Sequence, residues 1–135
     1  MPDHYHLLVK INHSSFFIKF INNFENSFSR SFNEKLKRKG LLWQSAFKSV
    51  RVASQEQFLH ISRYIHLNPT SSNLIKNPQD WQFSSYKDFI TNQKILDNIK
   101  ELTINNCLDY QKFVEDRIDY QRKLKLLRKL TIENF

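Results

Sequence analysis

Apolar and polar residues fall into two alternating patterns along the first half of the chain, one with the period of a strand and one with the period of a helix. Residues 4–11, His-Tyr-His-Leu-Leu-Val-Lys-Ile, predict a strand. Asn12-His13-Ser14-Ser15 then supplies turn and N-cap chemistry. Phe16, Phe17, Phe20, Ile21, Phe24, Phe28 and Phe32 recur at helical spacing, so residues 15–36 predict an amphipathic helix. Core packing is the expected role of that phenylalanine stripe. Gly40, the single glycine, suits a C-cap or a turn. Residues 41–52 contain a second strand pattern, in which Phe47, Ser49 and Arg51 alternate with Lys48, Val50 and Val52. Ser54 with Gln57 three residues on forms a capping box. It opens a helix with the stripe Phe58, Ile61 and Ile65, expected to run to about Leu67 and to stop at Pro69.

The second half is less regular. Residues 69–86 are rich in turn formers, and Ser84-Ser85-Tyr86 begins another helical stretch. Beyond residue 91 the pattern is helical and charged, with Tyr110, Phe113, Val114 and Ile118 on one side. Lys123, Lys125, Arg128 and Lys129 make the last helix basic. The pattern divides the chain into residues 1–90 and a helical segment, 91–135.

Composition narrows the partner. The 135 residues suffice for one ordinary domain, and 12 phenylalanines supply a core. Lysine and arginine number 21 against 13 acids, a net charge of +8, which favours an anionic partner, nucleic acid first. A single cysteine, Cys107, excludes an internal disulfide and fits a reducing compartment. No apolar stretch approaches the ~20 residues that span a bilayer, and no signal-peptide pattern opens the chain. No membrane partner and a cytoplasmic location are therefore expected.

The chemistry lies in two segments. On a strand, His4 and His6 share a face while Tyr5 points away. In Arg63-Tyr64-Ile65-His66-Leu67-Asn68-Pro69, Tyr64 and Asn68 stand one helical turn apart on one face, and His60 precedes them on the same stripe. His66 lies about 200° round from Tyr64 and does not share it. If that face meets the strand, His4, His6 and the Asn68 amide oxygen make a three-ligand site with open positions. Such a nitrogen and oxygen set suits Mg²⁺ or Mn²⁺ when a phosphate adds further oxygens. The Tyr64 hydroxyl is then placed to attack a phosphodiester in line, forming a phosphotyrosine link.

These residues resemble the HUH endonuclease superfamily. Within it the chain is similar to the single-tyrosine, IS200-like transposases, and specifically to the REP-associated tyrosine transposase branch. The resemblance rests on Met1-Pro2-Asp3-His4-Tyr5-His6-Leu7-Leu8-Val9, Leu42-Trp43-Gln44-Ser45-Ala46-Phe47, the block from Arg63 to Pro69, and Trp81-Gln82-Phe83-Ser84-Ser85-Tyr86. It covers residues 1–90. It implies an α/β (α+β) fold: an antiparallel sheet with helices on one face, the ferredoxin-like HUH core, followed by C-terminal helices. It implies cleavage and rejoining of single-stranded DNA, often hairpin-bearing, without ATP. Tyr64 would be the nucleophile, giving a 5′-phosphotyrosine and a free 3′-OH. His4 and His6 would be metal ligands, and Asn68 the third. Lys35, Lys37, Arg38, Lys39, Lys48, Arg51 and Arg63 are candidate DNA phosphate contacts, and a homodimer is a candidate assembly.

One departure is visible: in that family the His-x-His strand follows an earlier strand and helix, whereas here it begins at residue 4. A core lacking its first strand and helix is therefore expected. Two other readings stay open at this point. One is a remnant that binds hairpin DNA without cutting it; the other is a zinc hydrolase that uses the same histidines and does not need Tyr64.

Overall fold

The computed structural model of the chain describes residues 1–132, with side chains as far as Leu127. Arg128 and Lys129 of the expected basic cluster have side chains outside the described residues. Six α-helices follow in order: α1 (Ser14–Lys35), α2 (Gln55–Ser71), α3 (Tyr86–Thr91), α4 (Gln93–Asp97), α5 (Cys107–Glu115) and α6 (Ile118–Ile132), with a 3₁₀ turn at Pro78–Asp80.

The structure overturns the expected fold class. No strand occurs among the described residues, so there is neither an antiparallel sheet nor a ferredoxin-like core. Residues 4–11 and 41–52, the two strand patterns, have no ladder partner. A strand is held by its neighbour's N–H and C=O groups and by a covered apolar face. Alternation alone supplies neither. Leu7, Val9 and Ile11 are about half exposed and Val50 is 81% exposed, so the alternating apolar set has no surface to cover.

The helices formed where local signals were strong. Ser54 Oγ accepts from Gln57 N at 3.1 Å, and Gln57 Oε1 accepts from Ala53 N at 2.7 Å. That is the capping box with its return bond displaced one residue N-terminal. Pro69 does not stop α2, which continues to Ser71. A proline removes one N–H from the helix ladder, and here the surrounding packing outweighs that loss: residues 66–71 are all buried.

The chain divides into two compact units: residues 1–8 with 52–135, and residues 9–51. In the first, α2 packs against α5, α6 and the 3₁₀ turn, while α3 packs against α4 and α5. Leu67, Tyr86, Leu96, Leu102, Tyr110 and Val114 form its core, with Phe113 and Ile118 packed partly buried against it. The expected apolar side of the C-terminal segment is thus the side that is buried.

A polar chain runs through this core. Tyr110 Oη donates to Ser62 Oγ at 3.0 Å, and Ser62 Oγ donates to Leu59 O at 2.8 Å. Tyr110 has then spent its one proton, so His66 Nδ1–H is the donor in the 2.8 Å bond between His66 Nδ1 and Tyr110 Oη. His66 Nε2 is left to accept from Ser85 Oγ at 3.0 Å. Every member is satisfied by a neutral imidazole, and burial pulls the His66 pKa down to about 4.

In the second unit, α1 is the only helix, and Ile21 is the only fully covered apolar side chain. Phe28 stacks on Phe32, with centroids 6.0 Å apart, and meets Trp43 at 5.8 Å. Trp43 Nε1 donates to Glu25 O at 3.2 Å. The phenylalanine stripe does not make the expected core: Phe16 is 71% exposed, and Phe20, Phe24 and Phe28 are exposed as well. Steps of four overshoot the 3.6-residue turn, so the stripe winds around α1 away from any single covering surface. Beyond α1, Lys37 takes the left-handed conformation (φ 50°), and Gly40 (φ 98°) lies at a bend rather than at the cap, which is Leu36.

Candidate active site

The two segments that carry chemistry meet in the first unit, although no strand brings them there. The His4 and His6 rings lie edge to face, with centroids 4.9 Å apart. His6 also meets the Tyr64 ring edge-on at 5.8 Å. Asn68 Nδ2 lies 2.8 Å from His6 Nε2. His4, His6, Tyr64 and Asn68 are therefore one cluster, with Tyr64 and Asn68 on a common face of α2.

Each member has a distinct environment. Tyr64 is 44% exposed, so its phenol is open to solvent. Asn68 is buried, not at a frayed helix end as expected, because α2 continues past it. His4 Nδ1 is 2.7 Å from Asp3 Oδ1. That bond holds the Asp3 carboxyl below the usual carboxylate range, and it leaves His4 Nε2 available. Partial burial, together with the nearby charges of His4, the N-terminus and Lys125, lowers the His6 pKa. A neutral His6 is the form that ligates metal.

The site contains two residues that sequence reasoning did not place there. Lys125, on α6, donates from Nζ to Asn68 Oδ1 at 3.3 Å and to Ser72 Oγ. Arg122, one turn earlier on α6, donates to Thr70 O at 3.3 Å and Lys76 O at 3.1 Å, seating α6 against the end of α2. Lys125 and Asn68 stand 57 positions apart, and no local pattern announces such a contact.

The other candidates have surroundings of their own. Arg63 turns towards α5: its guanidinium sits over the Phe113 ring at 4.2 Å and donates to His60 Nδ1 at 2.8 Å and to Phe113 O at 3.4 Å. His60 is thereby engaged with Arg63. Tyr5 is half-buried. Lys35, Lys37, Arg38, Lys39, Lys48 and Arg51 are exposed residues of the second unit. Arg38 there donates to Leu41 O at 3.3 Å, with its guanidinium 5.9 Å from the Phe32 ring centroid.

Among the described residues, no three His, Cys, Asp or Glu side chains gather around a common metal position. The cluster instead offers two imidazoles and a carboxamide, with a carboxylate behind one imidazole. That donor set fits a hard divalent ion that takes further oxygens from a phosphate. As the Asn68 amide stands, its nitrogen faces His6 and its oxygen faces Lys125, so ligation through oxygen requires the amide to turn over.

The family model for IS200-like transposases matches residues 1–68, just over half of the chain. The chain belongs to the IS200-like transposase family. Transposases act on DNA, so membership of this family implies a DNA partner. The matched span includes His4, His6, Tyr64 and Asn68, and it ends before α6 and Lys125. No curated protein and no solved structure matches the chain. Among the described residues, no helix is long and apolar enough to cross a membrane.

Proposed function

We propose that this IS200-like transposase, of the REP-associated branch, cleaves and rejoins single-stranded, hairpin-bearing DNA with Tyr64 as nucleophile. The observation that carries the reading is the convergence of His4, His6 and Asn68 beside an exposed tyrosine inside the span the family model matches. His4, His6 and, once its amide has turned, Asn68 would hold Mg²⁺ or Mn²⁺, which supplies polarisation of a phosphoryl oxygen.

The chain's own groups do the rest. Asp3 accepts from His4 Nδ1–H and orients that ring, leaving Nε2 as the nitrogen available to a metal. α2 keeps Tyr64 and Asn68 in register one turn apart. Tyr64 Oη attacks the phosphorus. The Oη–P bond forms, the P–O3′ bond breaks, the phenolic proton is lost to water, and the leaving oxygen takes up a proton as a 3′-OH. Rejoining is the reverse, with a 3′-OH attacking the phosphotyrosine and the phenol reprotonating. The bond energy is conserved in the ester, so ATP has no part. Exposed lysines and arginines hold the strand through its phosphates. A homodimer is the assembly we favour.

A denaturing gel of the protein with labelled hairpin DNA and Mn²⁺, beside Tyr64→Phe, tests this. The reading predicts a slow-migrating adduct that the variant lacks, with DNA binding retained. Equal cleavage by the variant would overturn it.

A further inference from the structure

The Asn68 amide oxygen, which the proposed function assigns to a metal, is taken by an ammonium group. Lys125 Nζ donates to it at 3.3 Å and is anchored by Ser72 Oγ. Ser72 Oγ in turn donates to Asn68 O at 2.7 Å. The other end of the same amide faces His6 Nε2 at 2.8 Å. An ammonium and a divalent cation do not share one carbonyl oxygen at ligand distance, because they repel each other. Turning the amide over without moving Lys125 would set its NH₂ against the ammonium, donor against donor. Lys125 must therefore leave before Asn68 can present oxygen beside His6.

Something anionic must receive it. Lys125 is exposed, and an ammonium has three donors, of which two are used here. In a transposase the anion that reaches this place is a DNA phosphate. Arg122 keeps α6 against α2, so the lysine stem stays beside the site when its head group moves.

We propose that Lys125 is a positioning residue that holds the Asn68 amide oxygen until a DNA phosphate draws the ammonium away, so that DNA and the divalent metal bind cooperatively. The inference rests on the reading that Asn68 supplies a metal ligand. It makes Lys125 a safeguard against loading metal without substrate. By linkage, DNA raises metal affinity by the factor by which metal raises DNA affinity.

The test is a Mn²⁺ titration, followed by the electron paramagnetic resonance signal of free Mn²⁺, on the full chain carrying Tyr64→Phe to prevent cleavage. It is run with and without a single-stranded hairpin oligonucleotide, and the oligonucleotide's own Mn²⁺ binding is subtracted. The expected result is about a tenfold gain in Mn²⁺ affinity on adding DNA, within the usual range of coupling. Adding Lys125→Met should give a similar gain without DNA and remove most of the DNA effect. Ser72→Ala, which deletes the lysine's other anchor and leaves α6 intact, should shift affinity in the same direction by less. Asn68→Ala separates the two claims. If it weakens Mn²⁺ binding while Lys125→Met and Ser72→Ala change nothing, the inference falls and the ligand set stands. If Asn68→Ala leaves Mn²⁺ binding unchanged, the ligand set falls and the inference with it.

Discussion

Asn68 Nδ2 and His6 Nε2 lie 2.8 Å apart across 62 positions of sequence. This contact joins the N-terminal segment to α2 and turns two separate motifs into one site. It needs no sheet: residues 4–6, outside any helix or strand, set the two imidazoles against each other and bring His6 to the helix face that carries Tyr64.

The carboxylate behind His4 gives the first prediction. Asp3→Ala removes the 2.7 Å bond at His4 Nδ1 and frees the ring to rotate and change tautomer. Mn²⁺ affinity should fall by roughly tenfold, the low end for loss of such a partner. Isothermal titration calorimetry of the variant beside the parent checks it. An unchanged affinity would show that Asp3 has no part in orienting a ligand.

The buried chain at Tyr110 gives the second. Tyr110→Phe leaves His66 Nδ1–H without an acceptor and takes from Ser62 Oγ its donor. Leaving buried polar groups unpaired costs about 1–3 kcal/mol. Urea denaturation should show a loss in that range with an unchanged m-value. DNA binding, which uses other groups, should persist at temperatures where the variant is folded.

The third concerns pH. His66 has a folded-state pKa of about 4 against 6.5 unfolded, because burial disfavours its charged form. Between those values the unfolded chain binds the extra proton. The stabilising effect is therefore fully present above pH 6.5 and is lost as pH falls towards 4. Its size is roughly 3 kcal/mol over that window. His66→Gln should flatten the stability profile between pH 6.5 and 4, as measured by urea midpoints. A profile as steep as the parent's would place the titration elsewhere.

The sequence disclosed the helices and the site members more fully than the fold. Ser54 and Gln57 announced the start of α2 because a cap is made by neighbours in sequence. Tyr64 and Asn68 shared a face because helix geometry fixes that spacing. The strand reading of residues 4–11 failed because alternation describes side-chain direction and not the presence of a hydrogen-bonding partner. Pro69 misled for a related reason: its local effect is real, and the burial of residues 66–71 overrides it. The stripe of Phe16, Phe20 and Phe24 pointed to a core that α1 does not share. Lys125 was legible only as one charge in a basic helix, since its contact with Asn68 depends on how α6 packs on α2.

The central claim is that Tyr64 carries the DNA in covalent linkage. The direct measurement is peptide mass spectrometry of protein trapped on hairpin DNA with Mn²⁺, digested with protease and nuclease. The account predicts a nucleotide-sized mass addition on the peptide containing Tyr64, absent from Tyr64→Phe. The same addition on the Tyr5 peptide would contradict the account, as would cleaved DNA with no modified tyrosine.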